Sequence, residues 1–168
     1  GNALRGGRYA LANWIAGSAR DDILVGGAGA DTLYGGGGDD RLDGGEGGDI
    51  YVYMIGDSLD TIAETGAAGD SDIVKLIGIA VGGVGAFVSG ADAGDAVLRF
   101  DDGGRMVLDA FFAGPTIEEV RFDDGTVWDG AFLAAAAGGV LVNDAPVARP
   151  DEGFFTHLGE IVIPGADL

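Results

Sequence analysis

Gly17-Ser18-Ala19-Arg20-Asp21-Asp22-Ile23-Leu24-Val25 is followed without a break by Gly26-Gly27-Ala28-Gly29-Ala30-Asp31-Thr32-Leu33-Tyr34. Gly35-Gly36-Gly37-Gly38-Asp39-Asp40-Arg41-Leu42-Asp43 and Gly44-Gly45-Glu46-Gly47-Gly48-Asp49-Ile50-Tyr51-Val52 complete a run of four nonapeptides. Position six is Asp each time (Asp22, Asp31, Asp40, Asp49), and position eight is a large side chain (Leu24, Leu33, Leu42, Tyr51). Six residues form a loop whose glycines permit backbone conformations closed to other residues. Three residues then form a short strand that sends its middle side chain to one face. Two nonapeptides complete one turn, so the pattern predicts an all-β chain built as a right-handed parallel β-roll. Loops on each edge stack at every second repeat.

Composition says what those loops need. The chain has 168 residues, with 28 Asp plus Glu against 9 Lys plus Arg, and a net charge of −19. So acidic a chain repels itself when compact, yet 47% of its residues are hydrophobic, which argues against disorder. A divalent cation with a preference for oxygen ligands, above all Ca²⁺, resolves the conflict. The charge excludes nucleic acid as a partner. With no cysteine there are no disulfides, thiolate metal sites or thiol catalysis. No stretch is long and apolar enough to insert in a membrane. The start, Gly1-Asn2-Ala3-Leu4-Arg5, has no Met and no apolar signal core, so the chain reads as a piece of something longer.

Edge alternation sorts the acidic residues into two columns. One holds Asp22, Asp40 and Asp60; the other holds Asn13, Asp31, Asp49 and Asp72. Metal sites are expected between column neighbours: Asp22/Asp40, Asp31/Asp49, Asp40/Asp60 and Asp49/Asp72. Asn13 lacks the charge, and Arg20 stands at a loop position otherwise held by Gly. Loop backbone completes the ligand set. The candidates are Gly17, Ala19, Gly26, Ala28, Gly35 and Gly37 at positions one and three, with Gly27, Gly29, Gly36, Gly38, Gly45 and Gly47 at positions two and four.

The run resembles the RTX (repeats-in-toxin, haemolysin-type) calcium-binding repeats. That resemblance implies several bound Ca²⁺ ions, one-step export without a signal peptide, folding in extracellular calcium, and a secreted or bacterial cell-surface location.

The pattern continues, loosened, through Gly56-Asp57-Ser58-Leu59-Asp60-Thr61-Ile62 and Gly66-Ala67-Ala68-Gly69-Asp70-Ser71-Asp72-Ile73. Beyond it, Asp72–Ile77 has strand composition. Asp95–Phe100 turns through Asp101-Asp102-Gly103-Gly104 into Arg105–Leu108, and Glu119–Phe122 turns at Asp123-Asp124-Gly125 into Thr126–Trp128. Leu98 through Trp128 resembles the haemolysin-type related segment that follows such repeats. Phe100, Phe111, Phe122 and Trp128 are expected to form the core of a β-rich cap, because an open solenoid end exposes apolar surface. A short helix is expected at 131–137, capped by Asp129. Asn143-Asp144-Ala145-Pro146-Val147-Ala148, with Glu160-Ile161-Val162-Ile163-Pro164, resembles the opening of cadherin-like repeats of bacterial surface adhesins. The expected organisation is 1–62 roll, 63–142 continuation and cap, and 143–168 an extended tail entering a cadherin-like domain. That tail either packs simply or adds a strand to another molecule, giving a homo-oligomer or larger assembly.

Catalysis finds little support. Gly56-Asp57-Ser58-Leu59 spells the motif of one esterase family, but the single histidine, His157, sits in the tail and the strand-to-helix scaffold is missing. The chain is therefore expected not to be an enzyme. The expected function is that of a calcium-binding structural module of a large secreted adhesin-like protein. Two alternatives stand beside it: an accessory domain of a secreted enzyme (protease, lipase or epimerase) whose catalytic domain lies elsewhere, and a sugar-binding cap.

Overall fold

The computed structural model of the chain describes residues 1–7, 10–67, 69–88, 94–113 and 117–138. The tail and His157 lie outside the described residues, as do residues 139–142 of the expected cap. The first strands are β1 (Ala3–Arg5), β2 (Trp14–Ala16), β3 (Ile23–Ala28), β4 (Thr32–Tyr34), β5 (Arg41–Glu46), β6 (Ile50–Met54), β7 (Leu59–Ile62) and β8 (Asp72–Ile77). They alternate between two sheets. One carries β1, β3, β5 and β7 side by side, the other β2, β4, β6 and β8, and every such neighbour pair is parallel. The chain thus winds as a parallel β-roll.

The register explains the core. Leu4, Leu24, Leu42 and Ile62 are successive partners in the first sheet; Ile15, Leu33, Tyr51 and Val74 are partners in the second. Leu24, Leu33, Leu42, Tyr51 and Val74 are fully buried. From β2 to β5 each strand buries one apolar side chain, so the core there is a double column of single side chains; β6 adds Tyr53 to Tyr51, and β8 adds Leu76 to Val74. The short strands at β2 and β4 match the three-residue expectation. β3 and β5 run three residues further, because Gly26-Gly27-Ala28 and Gly44-Gly45-Glu46 stay paired in register.

Past β8 the chain leaves the roll and returns. A 3-10 turn at Val81–Gly83 leads to β9 (Val84–Val88), β10 (Ala96–Phe100), β11 (Arg105–Leu108), β12 (Ile117–Phe122), β13 (Val127–Asp129) and α1 (Gly130–Gly138). β11 pairs parallel with β7 and β12 parallel with β8, adding one more turn to the roll. β10 and β9 then extend the first sheet antiparallel, and β13 extends the second. Both expected hairpins form, with Gly103 and Gly125 at positive φ in their turns. β9 was not expected: Val84-Gly85-Ala86-Phe87-Val88 carries a glycine and no clear alternation, and its pairing with β10 makes it a strand.

Phe100, Phe111, Phe122 and Trp128 are buried, as the cap reading required. Phe100 stacks on Tyr53 of the roll with ring centroids 4.4 Å apart, and Trp128 lies 4.9 Å from both Phe122 and Phe132. Asp129 accepts the Phe132 N–H at 2.7 Å, capping α1. Leu42→Ala should cost about 2–5 kcal/mol, since it empties a fully buried position in a one-residue-wide column. Ile23→Ala, at a half-exposed neighbour, should cost about 0.5 kcal/mol or less. Denaturant unfolding of both variants in calcium checks the contrast.

Candidate metal centre

Position-six residues stack directly above one another, and their carboxylates replace backbone carbonyls as acceptors. The Asp22 N–H donates to Asp40 Oδ1 at 2.7 Å, and the Asp40 N–H to Asp60 Oδ1 at 3.2 Å. In the second column Asn13 donates to Asp31, Asp31 to Asp49, and Asp49 to Asp72, at 2.7–2.8 Å. Each residue then returns its own carbonyl to the next turn: the Arg41 N–H donates to Asp22 O, and the Ile50 N–H to Asp31 O. The structure therefore brings Asp22, Asp40 and Asp60 into one column and Asn13, Asp31, Asp49 and Asp72 into the other.

The columns are longer than the sequence reading made them. The Asn2 N–H donates to Asp22 Oδ1, which extends the first column backwards. The Asp72 N–H donates to Glu118 Oε2 at 2.7 Å, at a register shift between Ile117 and Glu119. No repeat marks Asn2 or Glu118, and only the winding places them.

The second carboxylate oxygen sets the chemistry. Oδ2 of Asp31, Asp40, Asp49 and Asp60 is buried without a hydrogen-bond partner. A charged oxygen in that state is costly unless a cation meets it. These are the residues a calcium ion would need, and they fit it: hard oxygen donors, stacked at successive turns. The position-one glycines make the room. A Cβ at Gly26, Gly35 or Gly44 would lie 2.5, 2.3 or 2.1 Å from the Oδ2 of Asp31, Asp40 or Asp49. Gly27, Gly29, Gly36, Gly38, Gly45 and Gly47, at positions two and four, all have positive φ, so the loop path itself requires glycine.

Asp22 departs from this pattern. Its loop has Ser18 and Arg20 where the others have glycine, and the Ser18 N–H and hydroxyl donate to Asp22 Oδ2 at 2.7 and 2.8 Å. Both Asp22 oxygens are thus engaged by hydrogen bonds. Those from Asn2 and Ser18 hold the carboxyl below its ordinary range. At Asn13 the side-chain amide donates to Asp31 Oδ1 at 2.7 Å, a neutral donor where a column neighbour otherwise supplies a carboxylate.

Burial pushes the other carboxyls the opposite way: Asp49 and Asp72 up to about 7, Asp60 up to about 8, and Asp40 upward too. Repulsion between neighbouring carboxylates adds to it, Glu64 acting on Asp49 and Asp72, and Asp40 on Asp60. Such a group binds its proton more tightly in the fold than in the unfolded chain, where its pKa is about 3.9. Its stabilising effect is therefore complete below about pH 4 and disappears as pH rises through 7–8. In chelator, the urea midpoint should fall between pH 5 and pH 8; saturating calcium, which replaces the protons, should remove or reverse that fall. A metal-free midpoint that rises with pH would contradict it.

No curated protein sequence matches the chain. Among solved structures it is similar to the AlgE6R3 subunit of the Azotobacter vinelandii mannuronan C5-epimerase, determined in solution. Identity is 23%, covering 86% of this chain and 93% of that one, with a TM-score of 0.33. No described helix is long and apolar enough to cross a membrane. Residues 16–51 match the family model of the RTX calcium-binding nonapeptide repeat in four copies, in the segment where the stacked loops and buried carboxylates lie. This segment of the chain is a calcium-binding RTX repeat module.

Proposed function

We propose that the chain is a calcium-folded structural module of a large secreted or surface adhesin-like protein. In this reading residues 1–62 are the ion-binding roll, 63–142 its continuation and cap, and 143–168 the lead into the next domain. The observation that supports it most is the set of four unpartnered buried oxygens on Asp31, Asp40, Asp49 and Asp60. Asp31 with Asp49, Asp49 with Asp72, and Asp40 with Asp60 would hold the ions, and the loop carbonyls of Ala28, Gly37 and their column neighbours would supply further oxygen ligands. The Asp22/Asp40 position is weaker, because Ser18 already occupies Asp22 Oδ2. Bound calcium neutralises the carboxylates and ties each turn to the next.

Magnitudes favour a switch. Extracellular calcium modules have dissociation constants of about 10⁻⁴–10⁻³ M. At about 1 mM calcium and a constant of about 0.1 mM, each site adds about 1.4 kcal/mol, and four sites about 5–6 kcal/mol. That equals the whole net stability of many domains. Where calcium is scarce, the carboxylates repel and the glycine loops gain no ligands, which keeps the chain unfolded and suits export. Outside, the ion folds it. The acidic pairs Asp21/Asp22 and Asp39/Asp40 lie in the glycine loops, with Asp21 and Asp39 accepting backbone N–H groups of Asp39 and Leu59, and Ser58 sits in the β6–β7 loop, where its carbonyl accepts from the Tyr53 hydroxyl and the Arg105 N–H. The role so described is structural.

Far-UV circular dichroism during a calcium titration, with magnesium as control, tests this reading. A cooperative gain of β-signal with calcium alone is expected; a chain fully folded in chelator at neutral pH would remove the proposal. Asp31→Asn should lower the bound-calcium stoichiometry and raise the midpoint several-fold, because it removes an unpartnered ligand oxygen. Asp22→Asn should change it much less. Equal effects would sink the assignment of ions to the unpartnered oxygens.

A further inference from the structure

One cluster near the last glycine loop adds to the column a residue from outside the nonapeptide pattern. Carboxylate oxygens of Asp49, Glu64 and Asp72 lie within 4.8 Å of one another. Asp49 is fully buried with its Oδ2 unpartnered, and Asp72 is 2% exposed. Glu64 comes from the loop after β7, where the strict repeat has ended. Its carboxylate is held in place: Oε1 accepts the Gly66 N–H at 2.7 Å and the Gly45 N–H at 3.3 Å, and Oε2 accepts the Tyr51 hydroxyl. That hydroxyl in turn accepts the Gly44 N–H at 2.7 Å. The other three nonapeptides put Leu at this core position, so the Tyr51 hydroxyl is a local addition that reaches out of the core to Glu64.

We propose that Glu64, Asp49 and Asp72 form a three-carboxylate site for one divalent cation, calcium, which is the tightest site in the roll and fills first. This rests on the calcium-ladder reading and adds to it a ligand that the repeat does not encode. Two column carboxylates and one glutamate concentrate more negative charge here than any two-Asp position of the repeat, and calcium affinity rises with ligand charge and rigidity. The N–H groups and the tyrosine hydroxyl fix Glu64 before the ion arrives, which lowers the ordering cost of binding, and Oε2, which accepts one hydrogen bond where Asp22 Oδ2 accepts two, keeps a lone pair for the ion. Occupation ties Glu64, after β7, and Asp72, at the start of β8, to Asp49 in the last glycine loop.

Calorimetric calcium titration of the whole chain and of Glu64→Gln tests the assignment. The substitution keeps shape and an acceptor for the Gly66 N–H while removing the charge. The wild type is expected to show one site tighter than the rest, weakened about tenfold or more in the variant, with the remaining sites unchanged. Identical constants in both proteins would overturn the role of Glu64 and leave the ladder standing. A wild type that binds no calcium would remove both. Terbium luminescence excited through tyrosine supplies a readout that does not depend on the Glu64 variant folding. The first equivalent bound by the wild type should emit strongly, because the Tyr51 hydroxyl touches Glu64, and should lose most of that emission in Tyr51→Phe. Emission unchanged in Tyr51→Phe would place the first ion elsewhere and overturn the proposal.

Discussion

A buried aspartate with one oxygen on a backbone N–H and the other on nothing is the constraint around which the rest is arranged. The first oxygen belongs to the fold: it accepts the N–H of the residue one turn earlier and so sets the stacking of turns. The second is left unpartnered at Asp31, Asp40, Asp49 and Asp60. Burial without a counter-charge favours the protonated form, and the upward shifts at Asp40, Asp49 and Asp60 follow from it. Near neutral pH the metal-free roll therefore faces a choice between protonating its core carboxyls and opening. Calcium removes the choice.

The apolar column supplies continuity rather than depth. A single apolar side chain per strand is buried at Ile15, Leu24, Leu33 and Leu42, and the column widens to two or three per strand towards the cap, as at Tyr51 with Tyr53 and Val74 with Leu76. Small cores of this kind leave little margin over the entropy of ordering so many glycines. The cap offsets part of that deficit. Its aromatic residues pack on the last turns, with Phe100 against Tyr53 linking cap and roll directly. Ligand sites and apolar rungs thus share one winding, and each turn depends on the next.

The roll was legible from residues because its two periods coincide: Asp at position six and a large side chain at position eight recur every nine residues, and the winding pairs every second one. That arithmetic places Asn13, Asp22, Asp31, Asp40 and Asp49 in their columns; Asp60 and Asp72, 20 and 23 residues past their neighbours, are read from the loosened loops that follow. Four features were not legible. Asn2 and Glu118 join the columns through turns whose lengths no repeat announces, and Glu118 needs a register shift to reach Asp72. The saturation of Asp22 depends on Ser18, which stands where the other loops have glycine and acts as a hydrogen-bond donor. Position-one glycines also leave the space that a carboxylate fills, at Gly44 as clearly as at Gly26 and Gly35, and only the winding shows this. β9 stayed hidden because pairing with β10, rather than its own composition, makes it a strand.

A crystal of the chain grown in calcium, with anomalous scattering used to locate the ions, addresses the central claim most directly. Ions in contact with the Oδ2 atoms of Asp31, Asp40, Asp49 and Asp60, between stacked glycine loops, are the expected result. Ions confined to exposed carboxylates such as Asp21 and Asp39, with those four buried oxygens satisfied by hydrogen bonds instead, would contradict it.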